Sequence, residues 1–67
     1  MASERDRRLA EAVREACIQA SREGYQDAGM SGLCAEGALE AALSAVQRLD
    51  LDAVVEVAGK PENDDKR

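Results

Sequence analysis

Histidine, tryptophan and phenylalanine are absent from these 67 residues, and Tyr25 is the single aromatic. Without histidine, the two scattered cysteines Cys17 and Cys34 do not make a zinc set, so no metal and no cofactor is expected. Without aromatics interleaved in a basic stripe, nucleic-acid binding is disfavoured. No apolar run approaches the length of a membrane span, and the start of the chain has no signal-peptide core. A cytoplasmic setting without membrane contact is the expectation. Positive charge is also scarce: the formal charge is −5, and Arg48 stands alone against five acids between positions 31 and 58. Arg5, Arg7 and Arg8 form only a small local cluster.

Bulk is missing too. Ordering the chain costs on the order of 100 kcal/mol, at about 1.5 kcal/mol per residue, and much of the apolar content is alanine. The candidate core is thin: Leu9, Val13, Ile18, Leu33, Leu39, Leu43, Val46, Leu49, Leu51, Val54, Val55 and Val57. Small scaffolds in this position add disulfides, a metal or a second copy of themselves. A hairpin would hold Cys17 and Cys34 about ten residues apart along its axis, roughly 15 Å, beyond the Cα separation of about 7 Å a disulfide tolerates. Self-association remains, and a homodimer is expected.

What the chain does have is small residues at regular spacing. Ala16, Ala20 and Gly24 lie four apart, and so do Gly37, Ala41 and Ala45. In helices each trio occupies one face. Folding the chain between Gly29 and Gly32 sets Gly24 opposite Gly37, Ala20 opposite Ala41 and Ala16 opposite Ala45. With nothing larger than a methyl between them, two helices can approach to roughly 8 Å. The expected fold is all-α: an antiparallel helical hairpin with a short third helix, forming a homodimeric bundle through Leu39, Leu43, Val46 and Val54.

Local signals mark the ends. Ser3 followed by Asp6 resembles a capping box, and Glu4 and Asp6 suit a first turn. Helix 1 is expected over 4–28, with Glu4–Arg8, Arg7–Glu11 and Glu11–Arg14 pairs on its solvated side. Ile18, Tyr25 and Ala28 form a second apolar edge. Gly24 is costly inside a helix, and close contact with Gly37 explains it better than a kink. Gly29 is read as the left-handed residue ending helix 1 and Ser31 as the N-cap of helix 2, which runs over 32–49. Asp50 or Asp52 caps a third helix near 51–58, in preference to a β-prone Val-Val-Glu-Val strand. Gly59 and Pro61 stop it. Residues 1–59 form one small domain, and 60–67 a disordered charged tail.

Chemistry-bearing candidates are few. Cys34, in the first turn of helix 2, meets free N–H groups that favour a thiolate, with Glu36 available to move a proton. Against this, the Glu36 charge would raise the thiol pKa, and the preferred reading makes Cys34 a small buried apolar residue. Cys17 reads as packing. Tyr25 either meets a ligand or, preferably, closes the hairpin end with its hydroxyl tied to backbone. Asp50, Asp52 and Glu56 match no calcium loop. Ser31 opens a helix as a carrier-protein serine does, but Met30 and Gly32 flank it where such carriers place aspartate and leucine.

Residues 25–43, with Tyr25, Ala28-Gly29, Gly32-Leu33-Cys34 and Glu36-Gly37, resemble a group of small bacterial proteins of unassigned function. Some of these carry an acetyltransferase label, an activity the resemblance would imply. The chain has neither the length nor the strands of an acetyl-CoA fold, nor a glycine-rich loop for a pyrophosphate. The leading expectation is therefore a protein–protein interaction or structural module and not an enzyme, with an unidentified protein partner besides the second copy. A thiol- or acyl-handling protein using Cys34 and Glu36 is the alternative.

Overall fold

The computed structural model describes residues 2–59; the expected tail at 60–67 and the Pro61 stop lie outside them. The chain forms α1 (Glu4–Met30), α2 (Ala35–Gln47) and α3 (Leu51–Ala58), and no strand occurs among the described residues. The Val54–Val57 run is helical. The molecule is flat, 44 × 33 × 14 Å. Both α2 and α3 pack on α1 and not on each other. It is a hairpin whose returning arm is broken at Arg48–Asp50, with α1 as its spine.

Two of the three starts follow the expected chemistry. Ser3 caps α1, its Oγ accepting from the Asp6 N–H at 3.1 Å, and Glu4 and Asp6 occupy the first turn. Asp50 caps α3 by accepting from the Ala53 N–H at 3.1 Å. Of the expected surface ion pairs, only Arg14–Glu11 forms among the described residues, at 3.5 Å and largely exposed. Such a pair contributes little.

The turn differs from expectation. α1 runs through Gly29 to Met30, and Ser31 is its C-cap, not the N-cap of α2. Gly32 is the residue with positive φ, at 92°. Its N–H donates to the Gly29 carbonyl at 3.1 Å, and the Leu33 N–H reaches back to Ala28 at 3.0 Å. This is a Schellman ending with glycine at the first position beyond the cap. Gly32, Leu33 and Cys34 are thereby drawn out of the helix, and α2 begins at Ala35.

The register moves with the turn. Its centre shifts from between Gly29 and Gly32 to between Ser31 and Cys34, about two residues, so facing partners slide by about four, one helical turn. A Cβ built on Gly24 would lie 2.9 Å from the Ala41 carbonyl oxygen, 3.0 Å from Ala45 Cβ and 3.1 Å from Ala42 Cα. Gly24 thus meets Ala41, Ala42 and Ala45, not Gly37, which instead makes room for the Leu33 side chain at 3.1 Å. Because both rows repeat every four residues, a slide of four still sets small against small.

Among the described residues the core contains no large side chain. Ala28, Ala38 and Ala42 are the buried residues, while Ile18, Leu33, Leu39, Leu43, Leu51, Val55 and Val57 are exposed. Leu9, Val13, Val46, Leu49 and Val54 are half-buried. The expected core is therefore displaced to the rims of the seam, since backbones this close leave no space for branched side chains between them. Ala28 belongs to the seam and not to a second edge.

These contacts separate two glycine substitutions. Gly24→Ala gains about 1 kcal/mol of helix propensity but presses a methyl onto backbone, a clash costing about 1–3 kcal/mol. It is expected to destabilise the protein. Gly29→Ala, also helical and with nothing within 4 Å of the added methyl, is expected to stabilise it by about 1 kcal/mol. Urea midpoints of the two variants, moving in opposite directions, check the pair.

Candidate interaction surface

The small-residue row on α1 is longer than the trio read from the sequence. Ala12, Ala16, Ala20, Gly24 and Ala28 are all four apart, and a row of that spacing inclines to the helix axis by about 26°. The seam therefore winds around α1. At its later end Gly24 meets α2; at its earlier end Ala12 and Ala16 line a groove with Ala53, Val54 and Val57 of α3. Ala16, Ala20, Ala41 and Ala45 are half-buried. The trio alone does not show Ala12 and Ala28, but the same spacing of four, continued one step each way, reaches both.

The winding splits the expected association surface. Leu39 and Leu43, 53% and 52% exposed, line an open groove of about 420 Å³ with Ile18, Arg22 and Tyr25 of α1. Val54 lies in the separate groove beside Ala12 and Ala16, and Val46 is half-buried beside the seam. Leu39, Leu43, Val46 and Val54 do not form one patch. Tyr25 belongs to the first groove, but its hydroxyl makes no hydrogen bond to any described residue, so it does not tie the hairpin end. The side chain, 47% exposed, offers its ring to the groove.

Cys34 is neither buried nor inside the first turn. It is the N-cap of α2, in extended backbone at φ −74° and ψ 174°, and it is exposed, whereas Cys17 is half-buried; neither is in a disulfide. The backbone N–H groups of Gly37 and, next, Glu36 hold its thiol below the ordinary pKa, although no side-chain hydrogen bond completes the cap. Glu36 bears on the sulfur through its N–H, favouring the thiolate. Among the described residues, no three His, Cys, Asp or Glu side chains stand close enough together to hold a metal ion. No helix among the described residues is long and apolar enough to cross a membrane.

No family model, curated protein or solved structure matches the chain. The likeness carried by residues 25–43 rests on the sequence alone.

The two cysteines are expected to separate in a labelling time course on the folded protein. Cys34 reacts first, with a rate that rises through a midpoint below that of a free cysteine thiol, and Cys17 follows only slowly. Equal rates, or a Cys34 midpoint at the ordinary value, would contradict the environment described. Cys34→Ser, which supplies a hydroxyl acceptor for the free N–H groups, is expected to raise stability by about 1 kcal/mol, measured by thermal melting.

Proposed function

We propose that this chain is a small helical protein–protein interaction or structural module that works as a homodimer. One observation carries the reading: among the described residues three alanines are the buried core, while nine large apolar side chains, among them Ile18, Tyr25, Leu39 and Leu43, stand exposed. Ile18, Tyr25, Leu39 and Leu43 line one groove, and a contiguous apolar surface of that kind marks an association site. Burying those side chains against a second helical layer supplies the hydrophobic stabilisation that a lone hairpin forgoes, at about 25 cal/mol per Å² removed from water. The surface is helical throughout, so what it presents to a partner is helix faces. Two unpaired cysteines suit a reducing compartment such as the bacterial cytoplasm.

Cys34 favours a second reading. An exposed thiol with a lowered pKa at a helix N-cap suits a thiol- or acyl-handling protein, in line with the acetyltransferase label that the resemblance implies. Glu36 would then serve as the proton-handling partner. The association reading is preferred because it accounts for nine exposed side chains and the thiol reading for one residue.

Sedimentation at micromolar concentration is expected to show a dimer. Leu43→Glu should shift it toward monomer while far-UV circular dichroism stays helical, because Leu43 lies outside the buried seam. A fully helical monomer for the parent chain would refute the association reading; loss of a native activity on Cys34→Ser would favour the second.

A further inference from the structure

We propose that a second copy of this chain occupies the α1–α2 groove, docked two-fold symmetrically so that α1 of each copy lies over α2 of the other. The inference rests on the association reading above and adds which groove is used and in what arrangement. It starts from where the charges stand. Arg22 is the one cation lining the groove. Among the described residues the only ion pair is Arg14–Glu11, so Arg22 has no carboxylate partner among them. On α2, Glu36 and Glu40 precede Leu39 and Leu43 by three residues and thus flank them on the same side of the helix. Both are exposed and pair with no cation among the described residues. Within one hairpin the unpaired cation is on the α1 side of the apolar strip and the unpaired anions are on the α2 side.

A two-fold contact makes each side meet what it lacks. With the symmetry axis running along the helices, α1 lies over the partner subunit's α2, and Arg22 faces the partner's Glu40. Ile18 and Tyr25 then pack on the partner's Leu39 and Leu43. Every helix in that bundle is antiparallel to its neighbours, so the macrodipoles oppose one another favourably. With the axis across the helices, α1 would lie over α1 and Arg22 would stack near its own copy, a like-charge contact. Because the chain carries −5 and repels itself over most of its surface, a local complementary pair is what selects one arrangement. A helix of another protein could fill the apolar strip but would not explain why both halves of an ion pair flank it. The 13 residues of α2 span about 20 Å, so a contact two helices wide covers on the order of 400 Å² per copy, about 800 Å² in all, which is below the standard size of stable interfaces and in the range of weak, transient ones. The dimer is therefore expected to dissociate in the micromolar range.

Sedimentation equilibrium of the full chain across the micromolar range tests this with Arg22→Glu, Glu40→Arg and the two combined, all at exposed positions. Each charge change acts twice in a symmetric dimer. Either single variant is expected to weaken dimerisation about tenfold, and the double variant to return within about threefold of the parent, the signature of a coupled pair. Arg8→Glu, outside the groove, leaves the constant unchanged. If the singles dimerise like the parent, or the double is as weak as the singles, the arrangement is overturned while the dimer stands. If the parent chain stays monomeric at the highest concentration, both the arrangement and the association reading fall, and the groove is left to a heterologous partner.

Discussion

At Gly24 a single hydrogen stands where any other residue would carry carbon, and α2 comes close enough to fill the space. The Ala41 carbonyl oxygen, Ala45 Cβ and Ala42 Cα all lie within 3.1 Å of the position a Cβ would take. That approach determines what can be inside. Two backbones this near leave a seam only as deep as a methyl group, so Ala28, Ala38 and Ala42 are buried and leucines and valines are turned to its edges. Close packing recovers dispersion contacts along the seam, but alanine contributes little hydrophobic area. The same feature that joins the helices leaves most of the apolar side chains uncovered.

From that follows the character of the surface. In a larger helical protein, residues such as Ile18 and Leu43 would be covered by another layer, as the architecture of compact domains requires. Here α2 and α3 follow one another along α1 and do not pack together, so the described residues supply no such layer. Because the row of small residues winds around α1, the uncovered side chains collect into separate grooves and not into one continuous face. Val54 and Leu43 each repeat the amphipathic spacing of their own helix, yet they belong to different grooves. Spacing along a helix tells which residues share its face; it does not tell how two successive helices are rotated around a third.

The hairpin, the three helices and the Ser3 and Asp50 caps were legible because each depends on a local pattern. The turn was not, because two glycines three residues apart both fit a helix end. Each is followed at once by an apolar residue, Met30 after Gly29 and Leu33 after Gly32, which is what a Schellman ending favours, so the local rule fits both and does not choose between them. Moving the turn by two residues slides every cross-helix pair by one helical turn, yet the rows stay in contact because both have the same period. That degeneracy explains how the architecture could be read while its register was not. The loss of bulk from the core was legible in part, since a small-on-small seam excludes large side chains by construction.

Cys34 shows how far a register shift reaches into chemistry. Had α2 begun near Gly32, position 34 would sit inside its first turn. With Gly32 as the left-handed residue, Cys34 becomes the N-cap, exposed and in extended backbone. There its sulfur stands where a serine or aspartate oxygen ordinarily accepts from the first free N–H groups. Sulfur is a weak acceptor and leaves those groups without a capping bond, but a thiolate in the same place is favoured by their dipoles. The position thus gives up some helix stability and lowers the thiol pKa for one and the same reason. Glu36, whose carboxylate suggested the opposite shift, bears on Cys34 through its backbone N–H. The ionisation of Cys34 is set by where α2 starts, which is set in turn by the glycine two residues before it.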